Sequence, residues 1–222
     1  MLTQHSFAML EQRNLIFGSL LGDGNLQTGS NGRTWRYRAI QQQKHQAYLF
    51  HKYQILSPLC NTPPAFSQTF DPRTNNTSSR YTFNTLVSPC LDLYAQMFYT
   101  YDPSQGTWKK DVPSDIYLDK HLTPEAIAYW YMDDGALKWF NKSNAMRICT
   151  ESFSLGGVMR LKRVLLERYN IVTRLNVKKL QNSISYRIAI PEISSEAFRD
   201  LIRPYLVDCM RYKVSDGYRG HL

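Results

Sequence analysis

The chain has 222 residues, with 27 Lys and Arg against 18 Asp and Glu, a formal net charge of +9, and 15 tyrosines. That length allows one domain or two tightly joined halves around a sizeable core. The basic balance favours a polyanionic partner and argues against a small-substrate carboxylate hydrolase. No apolar run approaches the ~18 residues that span a bilayer, and the first residues lack a basic segment followed by an apolar one, so a soluble protein is expected. Cys60, Cys90, Cys149 and Cys209 are scattered without a CxxC pair. A zinc site and a disulfide framework are therefore not expected, and the cysteines read as reduced core residues.

In chain order, Leu15 to Gly24 predicts an apolar, buried helix ending in Asp23-Gly24. Gly18, Ser19 and Gly22 are small and three or four residues apart, so one face of it allows a neighbour to approach closely. Residues 25–28 and 33–43 read as strands around a Gly- and Asn-rich turn. On the second strand Arg36 and Arg38 alternate with Trp35, Tyr37 and Ala39, which makes one face basic. Residues 45–57 predict a helix broken by Pro58, Pro63 and Pro64. Residues 65–70 and 79–84 predict a hairpin turning near Asn75, and 89–99 another helix. The stretch 102–119 is polar and loop-like, and it holds Trp108-Lys109-Lys110. It reads as a linker, giving half-domains 1–101 and 121–222 joined by 102–120.

Leu122 to Leu137 predicts a second apolar helix with both ends marked. Thr123 is the candidate N-cap, Pro124 suits the first helical position and Glu125 suits the first turn. Gly135 suits a left-handed residue just past the end. Asp133 and Asp134 lie where the helix already carries partial negative charge, so a cation is needed against them. Asp134 is 134 − 23 = 111 residues beyond Asp23. A hairpin follows, with its turn at 141–144 and an outgoing strand over 146–151. Helix 155–169 carries Arg160, Lys162, Arg163 and Arg168 on its expected solvent side. A hairpin of 172–179 and 184–190 turns at 181–183, and helix 194–205 comes next. Each half thus reads helix, two strands, helix, two strands, helix. That order implies an α+β fold of two pseudo-symmetric αββαββα halves, each with a four-stranded antiparallel sheet.

The two apolar helices resemble the LAGLIDADG motifs of homing endonucleases, in the single-chain form with two motifs. Gly18, Asp23 and Gly24 match in the first copy, and Ala128, Asp134 and Gly135 in the second. The inner acid of the pattern is replaced by Leu21 and Met132, and its first glycine by Tyr129 in the second copy. The resemblance implies the same two-sheet fold, packed through the motif helices. It also implies metal ligation by Asp23, Asp134 and the backbone carbonyls of Gly22 and Asp133. Oxygen-only ligands favour Mg²⁺, with Mn²⁺ or Ca²⁺ as alternative occupants.

The family also places a lysine from a late loop of each half near the scissile phosphate, here Lys110 (with Lys109 as rival) and Lys213. A polar residue follows the second strand: Gln42 or Gln43 in the first half and Glu151 in the second. Base and phosphate contacts are expected from the concave sheet faces. First-half candidates are Arg33, Arg36, Arg38, Gln41, Lys44, Arg73 and Arg80. Second-half candidates are Lys138, Lys142, Arg147, Arg174, Lys178, Lys179 and Arg187. The implied activity is Mg²⁺-dependent cleavage of both strands of a long, non-palindromic DNA site by a monomer. Such proteins are usually encoded in introns, often in organelles. An RNA-binding intron maturase and a non-cutting DNA-binding regulator on the same fold are the alternatives.

Overall fold

The computed structural model describes residues 10–139, 142–180 and 183–214. Its centre is a pair of helices, α1 (Leu10–Leu21) and α5 (Pro124–Asp134). Both are largely apolar and almost wholly buried, as a helix without a polar face must be. The start of α5 follows from its residues. Thr123 Oγ1 accepts the Ala126 amide at 3.1 Å, satisfying a donor that no helical carbonyl reaches, and Pro124 opens the helix. The end of α5 departs from expectation. Gly135 is extended, with φ −81° and ψ 151°, and begins a strand. Space, not handedness, requires glycine there: a Cβ would lie 2.2 Å from a ring carbon of Tyr131.

The small-residue face of α1 packs on α5. A Cβ on Gly18 would lie 2.1 Å from the Ala126 carbonyl oxygen, and one on Gly22 2.4 Å from Asp133 Cβ. Only glycine permits that approach. At the other end of the pair, Asn14 Nδ2 donates to Glu125 Oε2 at 2.6 Å, and Thr123 Oγ1 donates to Asn14 Oδ1 at 2.9 Å.

Two antiparallel sheets flank the helices. The first comprises β1 (Asn25–Gln27), β2 (Arg36–Gln42), β3 (Ala65–Asp71) and β4 (Asn76–Asn84), in the order β1-β2-β4-β3. The second comprises β7 (Gly135–Trp139), β8 (Ser143–Ile148), β9 (Arg174–Leu180) and β10 (Ser183–Ile190), in the matching order β7-β8-β10-β9. Helices α2 (Gln46–Leu56) and α3 (Pro89–Phe98) belong to the first half, and α6 (Leu155–Tyr169) and α7 (Glu192–Ile202) to the second. Along β2 the alternation holds: Tyr37 and Ala39 are buried while Arg36 is exposed. No helix among the described residues is long and apolar enough to cross a membrane.

Several expectations are corrected. The stretch 102–119 is not a loop. Strand β5 (Tyr99–Asp102) pairs with β6 (Thr107–Lys110), and α4 (Asp115–His121) follows. Polar composition concealed them, yet Trp108 packs edge-on against Trp35 at 5.2 Å and Leu118 is fully buried. The basic residues of α6 are not simply solvated. Arg160 Nε donates to the Pro113 carbonyl at 2.9 Å, Arg163 bridges Asp115 and Asp119, Arg168 reaches the carbonyl of Asp119, and Lys162 that of Thr173.

The outgoing strand of the third hairpin begins at Ser143 and ends at Ile148, so Ser143 and Asn144 leave the turn and Glu151 lies beyond the strand. Asn141, Gln181 and Asn182, placed in turns above, lie outside the described residues. Helix α7 gives way at Ile202 to a 3₁₀ turn over Arg203–Tyr205, because Pro204 lacks the amide that an α-helix needs. The cysteines are thiols, but they are not fully buried: Cys209 is exposed and the other three are half-buried, with Cys60 packed against the edge of the core.

Candidate metal and nucleic-acid site

After Leu21 the chain folds back on the last turn of α1, the amides of Gly22 and Gly24 both donating to the Ser19 carbonyl. This leaves Asp23 exposed just past the helix end. Asp134 is the last residue of α5, and its carbonyl accepts the Cys149 amide at 3.0 Å. Burial, then Asp23, then Asp133, push the Asp134 carboxyl up to about 7, while Lys110 and Lys213 oppose the rise. The two motif acids therefore share one electrostatic site, although they come from different halves.

The cations that the acids demand are present. Lys110 Nζ donates to the carbonyls of Gly22 at 3.2 Å and Gly24 at 3.0 Å. Lys213 Nζ donates to those of Met132 at 2.5 Å and Asp133 at 2.9 Å. Each lysine thus sits at the end of the motif helix that precedes it, where carbonyls lack helical partners and the dipole is negative. Burial lowers both ammonium pKa values, and the neighbouring aspartates pull them back up. Lys109 points the other way on β6 and pairs with Asp102 at 2.5 Å, so Lys110 is the lysine at the site. The carbonyls of Gly22 and Asp133, expected as metal ligands, are the ones that receive these lysines.

Asp133 borders the cleft, but its carboxylate is withdrawn from solvent. It meets Lys52 Nζ at 2.6 Å, with Lys52 itself 1% exposed. Lys52 also approaches Ser19 Oγ at 3.3 Å, and Ser19 Oγ lies 2.5 Å from the Tyr37 hydroxyl. Sequence reasoning missed Lys52. The only available signal was a lone lysine among the apolar positions of α2.

The polar residues at the ends of the strands are rearranged. Gln41, expected among the base readers, shares the inward side of β2 with Tyr37 and Ala39, and its Nε2 donates to Asp23 Oδ2 at 2.8 Å. Gln42 lines the cleft beside Asp23, and Gln43 opens a 3₁₀ turn after the strand. Glu151 is engaged in an ion pair with Arg187, whose Nε lies 2.9 Å away, and this pairing ties up both candidates.

The cleft has a volume of about 590 Å³ and is lined by Asp23, Gln41, Gln42, Lys44, Arg80 and Lys213, among others. It also contains His45, which the sequence did not single out. The His45 ring stacks on Tyr212 with planes 5° apart, bringing the two halves together.

Arg36, Arg38 and Gln42 share one face of β2, and Arg80 lies opposite Gln42 on β4. In the second half Arg147, Arg174, Lys178 and Arg187 share one face, as the pairings Ala189 with Arg147, Ala189 with Arg174 and Ser185 with Lys178 require. Lys179 pairs with Ile184 on the opposite face, the side on which Ile188 is buried, which removes it from that set. Lys138 is exposed over the Trp139 ring, and Lys142 is exposed. Arg33 binds the Ser30 carbonyl, and Arg73 pairs with Asp71 beside the β3–β4 turn.

Arg38 and Arg147 occupy matched positions, each opposite the residue two past its motif acid, Asn25 and Ala136. In both arginines the Nε is buried without a partner.

The model of the LAGLIDADG DNA endonuclease family matches residues 13–198 of the chain. The chain is 63% identical to DNA endonuclease I-ChuI of Chlamydomonas applanata over 215 residues, covering 96% of this chain and 98% of that protein. It is 26% identical to cytochrome b mRNA maturase bI2 of Saccharomyces cerevisiae over 205 residues, 91% of this chain and 47% of that protein. Among solved structures, homing endonuclease I-WcaI bound to its DNA recognition sequence has a TM-score of 0.81 at 22% identity, covering 95% of this chain and 88% of that one. That likeness is one of fold.

Proposed function

The chain belongs to the LAGLIDADG DNA endonuclease family and is a site-specific homing endonuclease; we propose that it acts as a monomer and hydrolyses both strands of a long, non-palindromic DNA target with Mg²⁺. The observation that carries this reading is the contact between the ends of the two motif helices, where a Cβ on Gly22 would fall 2.4 Å from Asp133 Cβ. The acids that follow these two residues, Asp23 and Asp134, thus come from different halves to one place. They are close enough for Asp23 to help raise the Asp134 carboxyl to about 7. A hard divalent cation suits such a site, because the donors are oxygens and the crowding of carboxylates is relieved by positive charge. Among the described residues no group of three or more His, Cys, Asp or Glu could hold a metal ion. Asp23 and Asp134 would therefore leave much of the coordination shell to water and phosphate oxygens, which Mg²⁺ prefers. When bound, the cation would polarise the scissile phosphate and help generate the attacking hydroxide.

The chain's own residues supply the rest. Gln41 fixes the Asp23 carboxylate, while Lys110 and Lys213 add fixed positive charge where the pentavalent phosphate gains negative charge. Half-domains 1–101 and 121–222, joined by 102–120, would each read half of the site. Arg36, Arg38 and Arg80 line one sheet, and Arg147, Arg174 and Lys178 the other. Unlike residues on the two faces imply unlike half-sites. A second reading, binding of intron RNA as a maturase, draws on the likeness to bI2, and an intron-encoded, organellar origin is consistent with both.

The test is cleavage of the intron-less junction of the host gene with Mg²⁺. Asp23→Asn and Asp134→Asn should each abolish double-strand cleavage and leave binding largely intact, since each removes a ligand charge and barely alters shape. Wild-type cutting by either variant would show that the acids are misassigned.

A further inference from the structure

We propose that Lys52 is a positioning residue for the catalytic acid of the other half: its buried ion pair with Asp133 sets the rotation of the last turn of α5 and so holds Asp134 on the side of Asp23. The proposal rests on the reading of Asp134 as a metal-binding acid. Lys52 belongs to α2 in the first half and Asp133 to α5 in the second, and their 2.6 Å contact is sealed from water, at 1% and 0% side-chain exposure. Ser19 Oγ at 3.3 Å and the Tyr48 ring at 4.4 Å complete the ammonium's surroundings.

Successive helical residues point about 100° apart. An inward Asp133 therefore directs Asp134 elsewhere, and directs the Asp133 carbonyl to Lys213, which holds it at 2.9 Å. The residue that matches Asp133 is Gly22, just past the end of α1, since 133 − 111 = 22. A side chain on Gly22 would collide with Asp133, 2.4 Å from its Cβ and 2.9 Å from Oδ2. The helix pair is thus keyed asymmetrically. One helix end supplies a carboxylate, the other supplies the space for it, and a lysine from a third helix locks it. Apolar helices packed through small faces could pack in more than one rotation, and a buried ion pair accepts one geometry.

The experiment uses the full chain carrying Lys52→Met, alone and combined with Asp133→Asn. Melting temperature, target affinity and single-turnover cleavage at varied Mg²⁺ are measured on each. Lys52→Met should melt lower, because it leaves a buried carboxylate unpaired. The double variant should regain most of that loss. Both should bind the target as the wild type does and, per folded and DNA-bound molecule, cut about 10²-fold more slowly, as misplacement of a reacting group does. Both should also need more Mg²⁺ for half-maximal rate, which lost stability alone does not produce. Wild-type cutting by the double variant at an unchanged Mg²⁺ midpoint overturns the proposal. Asp134→Asn run alongside separates the two readings. If it is inactive while the double variant cuts normally, only the positioning role fails; if it cuts normally, the assignment of Asp134 fails first.

Discussion

The ammonium of Lys213 lies 2.9 Å from the carbonyl oxygen of Asp133, and that of Lys110 lies 3.2 Å from the carbonyl oxygen of Gly22. Each motif helix thus has its negative end neutralised by a lysine that follows it late in the chain. Lys110→Met and Lys213→Met should each slow single-turnover cutting by about 10²-fold, as the loss of one positioned charge does. Nicked plasmid should accumulate in both. The sequence suggests that Lys109 could stand in for Lys110 and make Lys213 the more critical lysine. The pairing of Lys109 with Asp102 on the far side of β6 removes that redundancy. Lys109→Met should therefore cut nearly as the wild type, and comparable losses are expected at Lys110 and Lys213. A lysine variant that binds poorly but cuts normally once saturated would be a docking residue instead.

A pH dependence follows from Asp134, raised to about 7 chiefly by burial. An unfolded aspartate titrates near ~3.9. Between those values the folded state binds more protons than the unfolded state, so stability falls as pH rises through that window. In EDTA the melting temperature should drop from about pH 5 to about pH 8, and Asp134→Asn should flatten the slope. Mg²⁺ must displace the same proton, so its affinity should climb until pH passes about 7 and then level off. Affinity independent of pH across that window would contradict a shared carboxylate site.

Gly18→Ala should destabilise the helix pair, because its Cβ would fall 2.1 Å from the Ala126 carbonyl oxygen. Overpacking of this kind costs about 1–3 kcal/mol. Gly29→Ala is the control: a Cβ there meets nothing within 4 Å. Equal melting temperatures for the two variants would mean that α1 and α5 do not touch through Gly18.

Target binding should weaken steeply with salt. A protein that covers several phosphates gives log K against log[salt] a slope of several units, and each phosphate-contacting residue removed lowers it by about one. Arg80→Ala and Lys178→Ala should reduce the slope in this way. A flat dependence on long duplex would argue against a nucleic-acid face.

The sequence by itself determined what short-range chemistry encodes. The N-cap at Thr123, the apolar run of α5, the alternation of Trp35 to Ala39 and the small face of α1 each depend on residues within a turn or strand of one another. The repeated element order and the pair of terminal acids could be read from them. Where charge is buried, the outcome was set by contacts between distant segments, and only the tertiary structure decided it. Lys52 meets Asp133 across 81 residues, and Gln41 reaches Asp23 across 18. Glu151 pairs with Arg187 across 36 residues. No local pattern marks such pairings, because a buried carboxylate or ammonium is stable only against the partner that packing brings to it. Strand register adds a second source of ambiguity: a shift of one residue exchanges Gln41 for Gln42, or Lys110 for Lys109, on the face that meets the acids.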